Sequence, residues 1–252
     1  MPQLPIALQM YTVRDVAEKD FLGTLRQIAQ IGYTGVELAG TGGLSTSALK
    51  AALDDLGLRV AGSHTPLSVL ESDLAGVIEF HQAVGSSYII VPWVPPERRE
   101  TLEGWRRVAA SLNQIGREVR QAGLYLCYHN HAFEFETFDG KFALDWLYEL
   151  TDPELVKAEL DTYWVQYAGQ DPATYIHKYA DRVELLHLKD MEPGEEPMFT
   201  EVGEGILNWP AIFQAAEASA VRWYVVEQDR CRRPSIESAR LSFENLKRMG
   251  KV

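Results

Sequence analysis

The amino-acid sequence predicts a single (β/α)8 barrel that spans residues 1–252. Eight short apolar runs alternate along the chain with eight amphipathic segments, which is the pattern of a parallel sheet covered by helices. No linker rich in Gly, Ser or Pro and no low-complexity tract interrupts the alternation. Eight uninterrupted units favour a closed barrel over an open sheet, and this length is ordinary for a barrel of one domain.

The predicted strands are the apolar runs, and the predicted helices lie between them. In chain order the strands are PIALQMY, GVELA, LRVAGSH, YIIVPW, LYLCYH, LVKAELD, RVELLHL and RWYVVEQ. The helices cover about residues 20–31, 45–56, 72–84, 98–121, 142–150, 171–179, 208–219 and 235–249. In QIGYTGVEL, DLGLRVAGS and QAGLYLCY, a glycine stands where a helix should end before a strand. The runs PWVPPERR and MEPGEEPMFTEVGEG are predicted to be long loops after strands four and seven.

Composition and charge narrow the class of function. The formal net charge of −12 opposes binding to a polyphosphate backbone, so we expect no nucleic-acid partner. Cys127 and Cys231 form neither a disulfide framework nor a paired-cysteine zinc motif, which favours a cytoplasmic protein. The N-terminus lacks a signal-peptide pattern and no apolar run approaches roughly 18 residues, so we expect a soluble chain without a membrane partner. Assembly with identical chains stays open.

Polar and aromatic residues stand at the end of nearly every predicted strand. In α/β barrels the carboxyl ends of the strands form one face, and chemistry is located there. We therefore expect these side chains to face one cavity. They are Gln9, Tyr11, Glu37, His64, Trp93, His129, His131, Asp161, His187, Lys189, Asp190, Glu227 and Gln228.

Three of these residues suggest a cation site. Asp161, His187 and Glu227 end strands six, seven and eight, which are neighbours in a barrel. Carboxylates together with an imidazole suit a divalent ion such as Mn²⁺, Mg²⁺, Co²⁺ or Zn²⁺. A fourth ligand should come from strand five, whose end reads LCYHNHAFEFE over residues 126–136.

Each candidate also has a purely structural interpretation. Asp161 alone could be the N-cap of a helix, and His187 alone could be a hydrogen-bonded core histidine. Glu37 could accept only backbone hydrogen bonds, while Trp93 and Trp164 could simply cover the core. The occurrence of all these residues at one end of the predicted barrel favours a functional role.

The motifs resemble a known family. YHNHAFEFE, AELDTYWV, LLHLKD, VGEGILNW and YVVEQD, opened by ALQMYTVRD, are similar in content and order to the xylose-isomerase-like barrel superfamily, specifically its sugar phosphate isomerase/epimerase-type members. The resemblance covers nearly the whole chain. It implies a divalent metal ion that is held by Glu, Asp, His and Glu from strands five to eight and binds two adjacent oxygens of a sugar or keto-sugar. Asp161, His187 and Glu227 match the last three ligands.

Strand five departs from the pattern of that family. The commoner epimerases have a glutamate about where Tyr128 and His129 stand in this sequence. We predict Glu134 as the fourth ligand, with His129 as the alternative. The departure removes one of the two glutamates of the usual acid/base scheme, so the His129-Asn130-His131 triplet is the candidate for proton transfer.

The resemblance implies a metal-dependent isomerase or epimerase of a small sugar or keto-sugar, which works through an enediolate. Candidate bases are His129, His131, Glu134 and Glu227, with Lys189 stabilising an oxyanion beside Asp190. The remaining predicted contacts to a small carbohydrate substrate are Gln9, Tyr11, Glu37, His64, Trp93, Trp164, Asp190 and Gln228.

Three other functions compete with the isomerase. A lyase or dehydratase of a keto-polyol or 3-keto-glycoside would use the same residues up to departure of the leaving group. An apurinic-site endonuclease would need more metal ligands and a basic DNA face, which the charge of −12 argues against. A non-catalytic sugar-binding barrel would not need converging Asp, His and Glu side chains.

Overall fold

Eight parallel strands close into a barrel in the computed structural model, which describes residues 3–252. Each strand pairs with the next along the chain, and the last pairs with the first. The predicted (β/α)8 fold is confirmed. The strands are β1 Ile6–Gln9, β2 Gly35–Leu38, β3 Arg59–His64, β4 Tyr88–Val91, β5 Tyr125–His129, β6 Val156–Asp161, β7 Val183–Leu188 and β8 Trp223–Val226.

Ten α-helices connect and surround the strands in the described part of the chain. They are α1 Arg14–Ala17, α2 Phe21–Ile31, α3 Thr46–Leu56, α4 Leu67–Val84, α5 Leu102–Gln121, α6 Ala143–Leu150, α7 Thr162–Tyr167, α8 Pro172–Lys178, α9 Trp209–Glu217 and α10 Ser235–Arg248. Short 3-10 turns cover Met10–Val13, Pro96–Arg98 and Phe133–Phe135. Two small antiparallel ladders pair Thr137–Phe138 with Lys141–Phe142, and Asp190–Met191 with Phe199–Thr200.

Local signals set most helix boundaries. The side chains of Asp20, Ser45 and Thr101 accept hydrogen bonds from the first turns of α2, α3 and α5, and so satisfy backbone donors that have no partner within the helix. Gly32 and Gly57 end α2 and α3 in the left-handed backbone conformation, which residues other than glycine rarely adopt.

Several elements differ from the predicted ones, among them β1, α4 and α7. β1 ends at Gln9 rather than at Tyr11, because the Gln9 side-chain oxygen accepts from the Tyr11 N–H at 2.9 Å and starts a 3-10 turn. α4 begins at Leu67 rather than at residue 72 and is kinked at Asp73. The short helix α7 was not predicted, and it follows β6 directly because the Asp161 carboxylate caps it through the Trp164 N–H at 3.1 Å.

Below its carboxyl end the barrel contains a mainly apolar cluster of buried side chains. Ala7, Ala61, Ile90, Cys127, Leu185 and Val225 form a buried cluster together with Tyr88 and Trp223. Side chains two residues apart on a strand point to the same face. Gln9, His129, His187 and Glu227 each follow a member of this cluster by two residues, so they form a polar layer directly above it.

No helix within residues 3–252 combines the length and the apolar character that crossing a membrane would require.

Candidate active site

The polar layer at the carboxyl ends of the strands contains an unusual number of buried ionisable groups. Charged side chains are rarely buried unless they are paired or bind an ion. The ionisable members of the layer are Glu37, His129, Glu159, Asp161, His187, Lys189 and Glu227, each at most 5% exposed. These side chains come from the ends of five of the eight strands.

Four residues of this layer form the candidate cation site, defined here as His129, Asp161, His187 and Glu227. Each of the four offers one ligand atom, and these atoms all lie within 4.8 Å of one another. His187 Nδ1 is 3.0 Å from Glu227 Oε2 and 3.8 Å from Asp161 Oδ2, while His129 Nε2 is 3.9 Å from Asp161 Oδ2. Asp161, His187 and Glu227, the three residues predicted to converge, therefore do lie together.

Glu134 is not a member of this site, so the structure does not place it as the fourth ligand. Its Oε1 accepts from the Tyr128 hydroxyl at 2.7 Å, and its Oε2 accepts from the His131 backbone N–H at 2.8 Å. Burial raises the pKa of Glu134 to about 7. The carboxylate thus organises the turn after β5, and the fourth corner of the candidate cation site belongs to His129 at the strand end.

Glu159 is a site residue that the sequence interpretation missed. Its Oε2 lies 3.1 Å from His129 Nδ1, 3.1 Å from His64 Nε2 and 3.2 Å from His187 Nε2. The signal was present in AELD, because Glu159 and Asp161 are two residues apart on one strand and so face the same side. The prediction from sequence includes only the last residue of that strand, Asp161.

Glu37 and Gln9 complete the layer on the opposite side of the barrel. Gln9 Nε2 donates to Glu37 Oε1 at 2.5 Å, and the same oxygen lies 2.8 Å from His187 Nε2 and 3.0 Å from His64 Nε2. Burial would raise the pKa of Glu37, but the facing rings of His187 and His64 lower it well below its usual range. Glu37 is therefore a buried anion that contacts two imidazoles.

The residues of the candidate cation site fit a divalent ion. Asp161 Oδ2 is buried and has no hydrogen-bond partner among the described residues, although the Lys189 ammonium lies 3.1 Å away. Burial raises the pKa of Asp161 to about 6, so the carboxylate lacks sufficient compensation from the protein alone. An unsatisfied carboxylate oxygen beside two imidazoles and Glu227 is a suitable donor set for such an ion.

Lys189 sits between carboxylates at the edge of this site. Its Nζ is 3.1 Å from Asp161 Oδ2, 2.8 Å from Glu227 Oε2 and 2.9 Å from Asp229 Oδ1. Burial would lower the pKa of Lys189, but Asp161, Glu227 and Asp229 raise it well above its usual range. Asp229 was not predicted, and Lys189 is a buried cation.

Asp190 does not pair with Lys189, and that part of the prediction is wrong. The Asp190 carboxylate instead accepts hydrogen bonds from the backbone N–H groups of Met191, Gly203, Gly205 and Leu207 and from Trp209 Nε1, at 2.7 to 3.3 Å. Adjacent side chains of an extended strand point to opposite faces, so Asp190 turns away from the site that Lys189 faces.

The histidines of the site differ in charge. Burial would lower the pKa of His64, but Glu37 and Glu159 raise it to about 10, and the pKa of His187 is raised in the same way. Burial and then His187 lower the pKa of His129 well below its usual range. Burial and then Lys189 lower the pKa of His131 to about 3. His129 and His131 are therefore neutral at pH 7.

A cavity of about 600 Å³ opens above the polar layer. Tyr11 and Trp93 stand at its rim with 44% and 47% of their surface exposed, and Trp164 and Phe199 provide further aromatic wall. Apolar walls with a few converging polar groups are typical of small-molecule sites. His64, His129, His131, Glu227 and Asp229 also line this cavity, together with Arg14 and Arg230, which were not predicted.

Gln228 is not among the residues that line this cavity. Its side-chain Nε2 donates to the Arg230 carbonyl at 3.2 Å, and its backbone N–H donates to Thr12 Oγ1 at 3.1 Å. The following residue, Asp229, faces the cavity instead.

Comparison with known proteins agrees with the fold. Residues 25–249 match the xylose isomerase-like TIM barrel family. The chain belongs to this family. A curated relative named inosose dehydratase, from Geobacillus kaustophilus, is 28% identical over 248 residues, which cover 82% of this chain and 79% of the relative.

Solved structures with this fold carry more than one name. A sugar phosphate isomerase/epimerase from Parabacteroides distasonis superposes with a TM-score of 0.83 at 27% identity and covers 100% of this chain and 96% of its own. A probable 3-DHS dehydratase involved in petrobactin synthesis, from Bacillus anthracis, superposes with a TM-score of 0.73 at 15% identity, covering 97% of this chain and 99% of its own. The latter identity shows a common fold alone.

Proposed function

We propose that this chain is an enzyme that acts on a small polyhydroxylated ketone with the help of a divalent ion. It removes a proton from the carbon atom next to the carbonyl group. The observation that carries the proposal is the candidate cation site at the floor of an aromatic-walled cavity. Two imidazoles and two carboxylates suit Mn²⁺, Co²⁺ or Zn²⁺ better than Mg²⁺, which prefers oxygen ligands.

His129, Asp161, His187 and Glu227 would hold the ion. Bound there, it would supply positive charge that favours the build-up of negative charge on a carbonyl oxygen of the substrate. The ammonium group of Lys189 is a second, permanent positive charge beside the same floor, and it would stabilise the same oxygen electrostatically.

His131 and Glu227 are the candidate proton acceptors in the cavity wall. Both line the cavity, and His131 Nδ1 is buried without a hydrogen-bond partner among residues 3–252. The stacked rings of His131 and Phe133, with centroids 5.6 Å apart, hold the imidazole in place. Tyr11, Trp93 and Trp164 would contact the C–H face of a substrate ring and exclude water from it.

Loss of the proton permits two outcomes. If a hydroxyl group on the adjacent carbon then leaves with a proton, a carbon–carbon double bond forms and water is released. If the proton returns to a different face or carbon, the product is an isomer. The relative named inosose dehydratase supports the first outcome, and the structure named sugar phosphate isomerase/epimerase supports the second.

Dehydration of a keto-polyol is as strong a candidate as the isomerase or epimerase expected from sequence. Among the four residues of the candidate cation site, β5 contributes His129 rather than a glutamate. A scheme that needs two glutamates on opposite faces of the substrate therefore lacks one of them, whereas elimination needs one base and a proton donor for the leaving group.

Proton NMR in D₂O tests the proposal. The purified chain, loaded in turn with Mn²⁺, Co²⁺ or Zn²⁺, would be incubated with inosose and with simple ketoses, and products identified by NMR after removal of the ion. Exchange of the α-proton followed by loss of a hydroxyl group identifies a dehydratase, and exchange followed by a new stereoisomer identifies an epimerase. Absence of α-proton exchange with every ketone and every ion would contradict the proposed chemistry.

A further inference from the structure

Glu159 occupies a position between three imidazoles and beneath the candidate cation site. Its Oε2 contacts His64, His129 and His187 at 3.1 to 3.2 Å, and its side chain is completely buried. On the barrel wall Glu159 is the cross-strand neighbour of His129, because these residues are paired in the register of β5 and β6. The proposed chemistry assigns no role to the Glu159 carboxylate.

A second set of residues around Glu159 also has the geometry of a cation site. It comprises His64, His129, Glu159 and His187, and it shares His129 and His187 with the candidate cation site. Two ions bound together would require both nitrogens of both shared rings as ligands. A neutral imidazole keeps a proton on one nitrogen, so each shared ring can serve only one ion without losing that proton. One set therefore holds the ion and the other supports it.

The contacts of the two ring nitrogens of His129 and His187 indicate which set of residues binds the ion and which set supports it. His129 Nε2 points to Asp161, and its Nδ1 is 3.1 Å from Glu159 Oε2. His187 Nδ1 faces Glu227, and its Nε2 is 2.8 Å from Glu37 Oε1. On each ring, one nitrogen thus faces a carboxylate outside the candidate cation site, Glu159 or Glu37, and the other nitrogen faces a carboxylate of that site. Histidines that bind metals commonly donate their other N–H to a carboxylate in this manner.

We propose that Glu159 is a positioning residue that fixes the ring of His129, by accepting its Nδ1–H, so that Nε2 is the atom presented to a divalent ion. Within residues 3–252 His129 Nδ1 makes no hydrogen bond in the present ring orientation, and Glu159 Oε2, at 3.1 Å, is a carboxylate oxygen within reach of it. His64 Nε2 lies 3.0 Å from Glu37 and 3.1 Å from Glu159, and so links the two carboxylates that back the two rings. This inference rests on the proposed cation site.

Loss of the Glu159 charge is expected to weaken binding of the divalent ion without unfolding the chain. Glu159→Gln keeps the size of the side chain, but its amide can donate to His129 and so no longer favours one orientation of the ring. Outer-shell carboxylates of this kind typically contribute about 10- to 100-fold to metal affinity. We expect a loss of that size for Co²⁺, together with a changed absorption spectrum of the bound Co²⁺.

A double-mutant cycle separates positioning from direct binding. Co²⁺ affinity would be measured by competition with a chelator for the parent, Glu159→Gln, His129→Ala and the double variant. If Glu159 acts only through His129, Glu159→Gln lowers affinity in the parent but changes it less than about twofold in the His129→Ala background. Equal losses in both backgrounds would show that Glu159 binds the ion or acts by its charge alone, and would overturn the inference.

Glu184 supplies the matched control. It is a buried glutamate on the neighbouring strand β7 whose Oε2 accepts from the Tyr88 hydroxyl at 2.7 Å, and it is in neither set of candidate ligands. Glu184→Gln should leave Co²⁺ affinity and spectrum unchanged. If Glu159→Gln does not fold, as judged by circular dichroism, Glu159→Asp keeps the charge but shortens the reach to His129 and takes its place in the cycle.

The inference and the proposed function fail in different ways. A parent protein that binds no divalent ion refutes the candidate cation site, and the inference with it. A parent that binds Co²⁺ as tightly as the Glu159→Gln variant does refutes the role of Glu159 and leaves the site intact.

Discussion

His187 is the residue at which most of the buried charge of the site meets. Its Nδ1 faces Glu227 at 3.0 Å, and its Nε2 faces Glu37 at 2.8 Å and Glu159 at 3.2 Å. Burial would lower the pKa of this ring, but these three carboxylates raise it well above the usual range. A buried ion pair is costly to break because the remaining charge has no solvent to stabilise it. Removal of one charge from this cluster is therefore expected to destabilise the charges that remain.

The first prediction concerns the two carboxylates of the candidate cation site. Asp161→Asn and Glu227→Gln each remove one charged ligand. We therefore expect divalent-ion affinity to fall by more than about 100-fold, which is the largest loss typical of a residue that only supports a ligand. Elemental analysis of protein purified without chelators measures the bound ion. Parent-like metal content in both variants would show that the ion binds elsewhere.

A second prediction distinguishes Glu134 from the histidines that precede it. Because the Glu134 carboxylate is engaged by Tyr128 and the His131 N–H, Glu134→Gln should keep the ion, whereas His129→Ala should bind it more weakly, with an affinity that competition with a chelator still measures. His131→Ala should keep the ion but slow α-proton exchange by about 10²- to 10⁴-fold, as expected for loss of a general base. Metal loss in Glu134→Gln with a fully loaded His129→Ala would instead restore Glu134 as the ligand.

His81, on α4, allows a prediction of acid sensitivity. It is completely buried, neither ring nitrogen has a hydrogen-bond partner within residues 3–252, and burial lowers its pKa to about 4. The unfolded chain takes up the proton near its ordinary pKa of about 6.5. The His81 contribution to the free energy of unfolding is therefore complete above pH 6.5 and is lost as the pH falls towards 4.

When the pH is lowered from 7 to 5, the free energy of unfolding of the His81→Leu variant should fall by about 2 kcal/mol less than that of the parent. Urea unfolding at the two pH values measures the difference, and His177→Gln, an exposed histidine on α8, is the control. Equal pH dependence in the parent and His81→Leu would mean that the buried ring becomes protonated without difficulty.

At the level of elements, Asp190 organises the long connection between β7 and α9. One carboxylate accepts hydrogen bonds from four backbone N–H groups and from the Trp209 indole, and it thereby joins the Asp190–Met191 strand to residues 203–209. The same connection carries Phe199, which lines the cavity. The order of the cavity wall therefore depends on a residue that faces away from the site.

Asp190→Ala should lower the free energy of unfolding by about 3 kcal/mol or more, because several buried donors lose their acceptor. The loss is measured by chemical denaturation, and Asp55→Ala, at an exposed position on α3, should stay within about 0.5 kcal/mol of the parent. A similar stability for both variants would show that water replaces the Asp190 carboxylate in that connection.

For the whole molecule, the net charge of −12 is the dominant long-range property. A negative field repels the DNA backbone, so we predict no useful affinity for duplex DNA at physiological salt. A gel-shift titration over several salt concentrations measures it. Binding in the micromolar range that weakens steeply with salt would contradict this prediction and favour a nuclease.

The sequence by itself determined the architecture. Apolar runs of strand length, amphipathic segments between them, side-chain caps such as Asp20 and glycines such as Gly32 are local features. They specified all eight strands of the barrel and eight of the ten helices of the described chain, but not the four short strands of the two small ladders. The short helices α1 and α7 escaped because four to six residues carry too little periodicity to be recognised.

The tertiary structure alone decided the partners within the site. Glu37 and His187 are 150 residues apart in sequence and meet only because the barrel closes. Register placed Glu159 beside His129, and strand alternation turned Asp190 away from Lys189 while Asp229 took its place. The direction of a loop side chain decided between Glu134 and His129, since both carry suitable donor atoms. Residue type states which chemistry is available, but the closed sheet determines which atoms share one cavity.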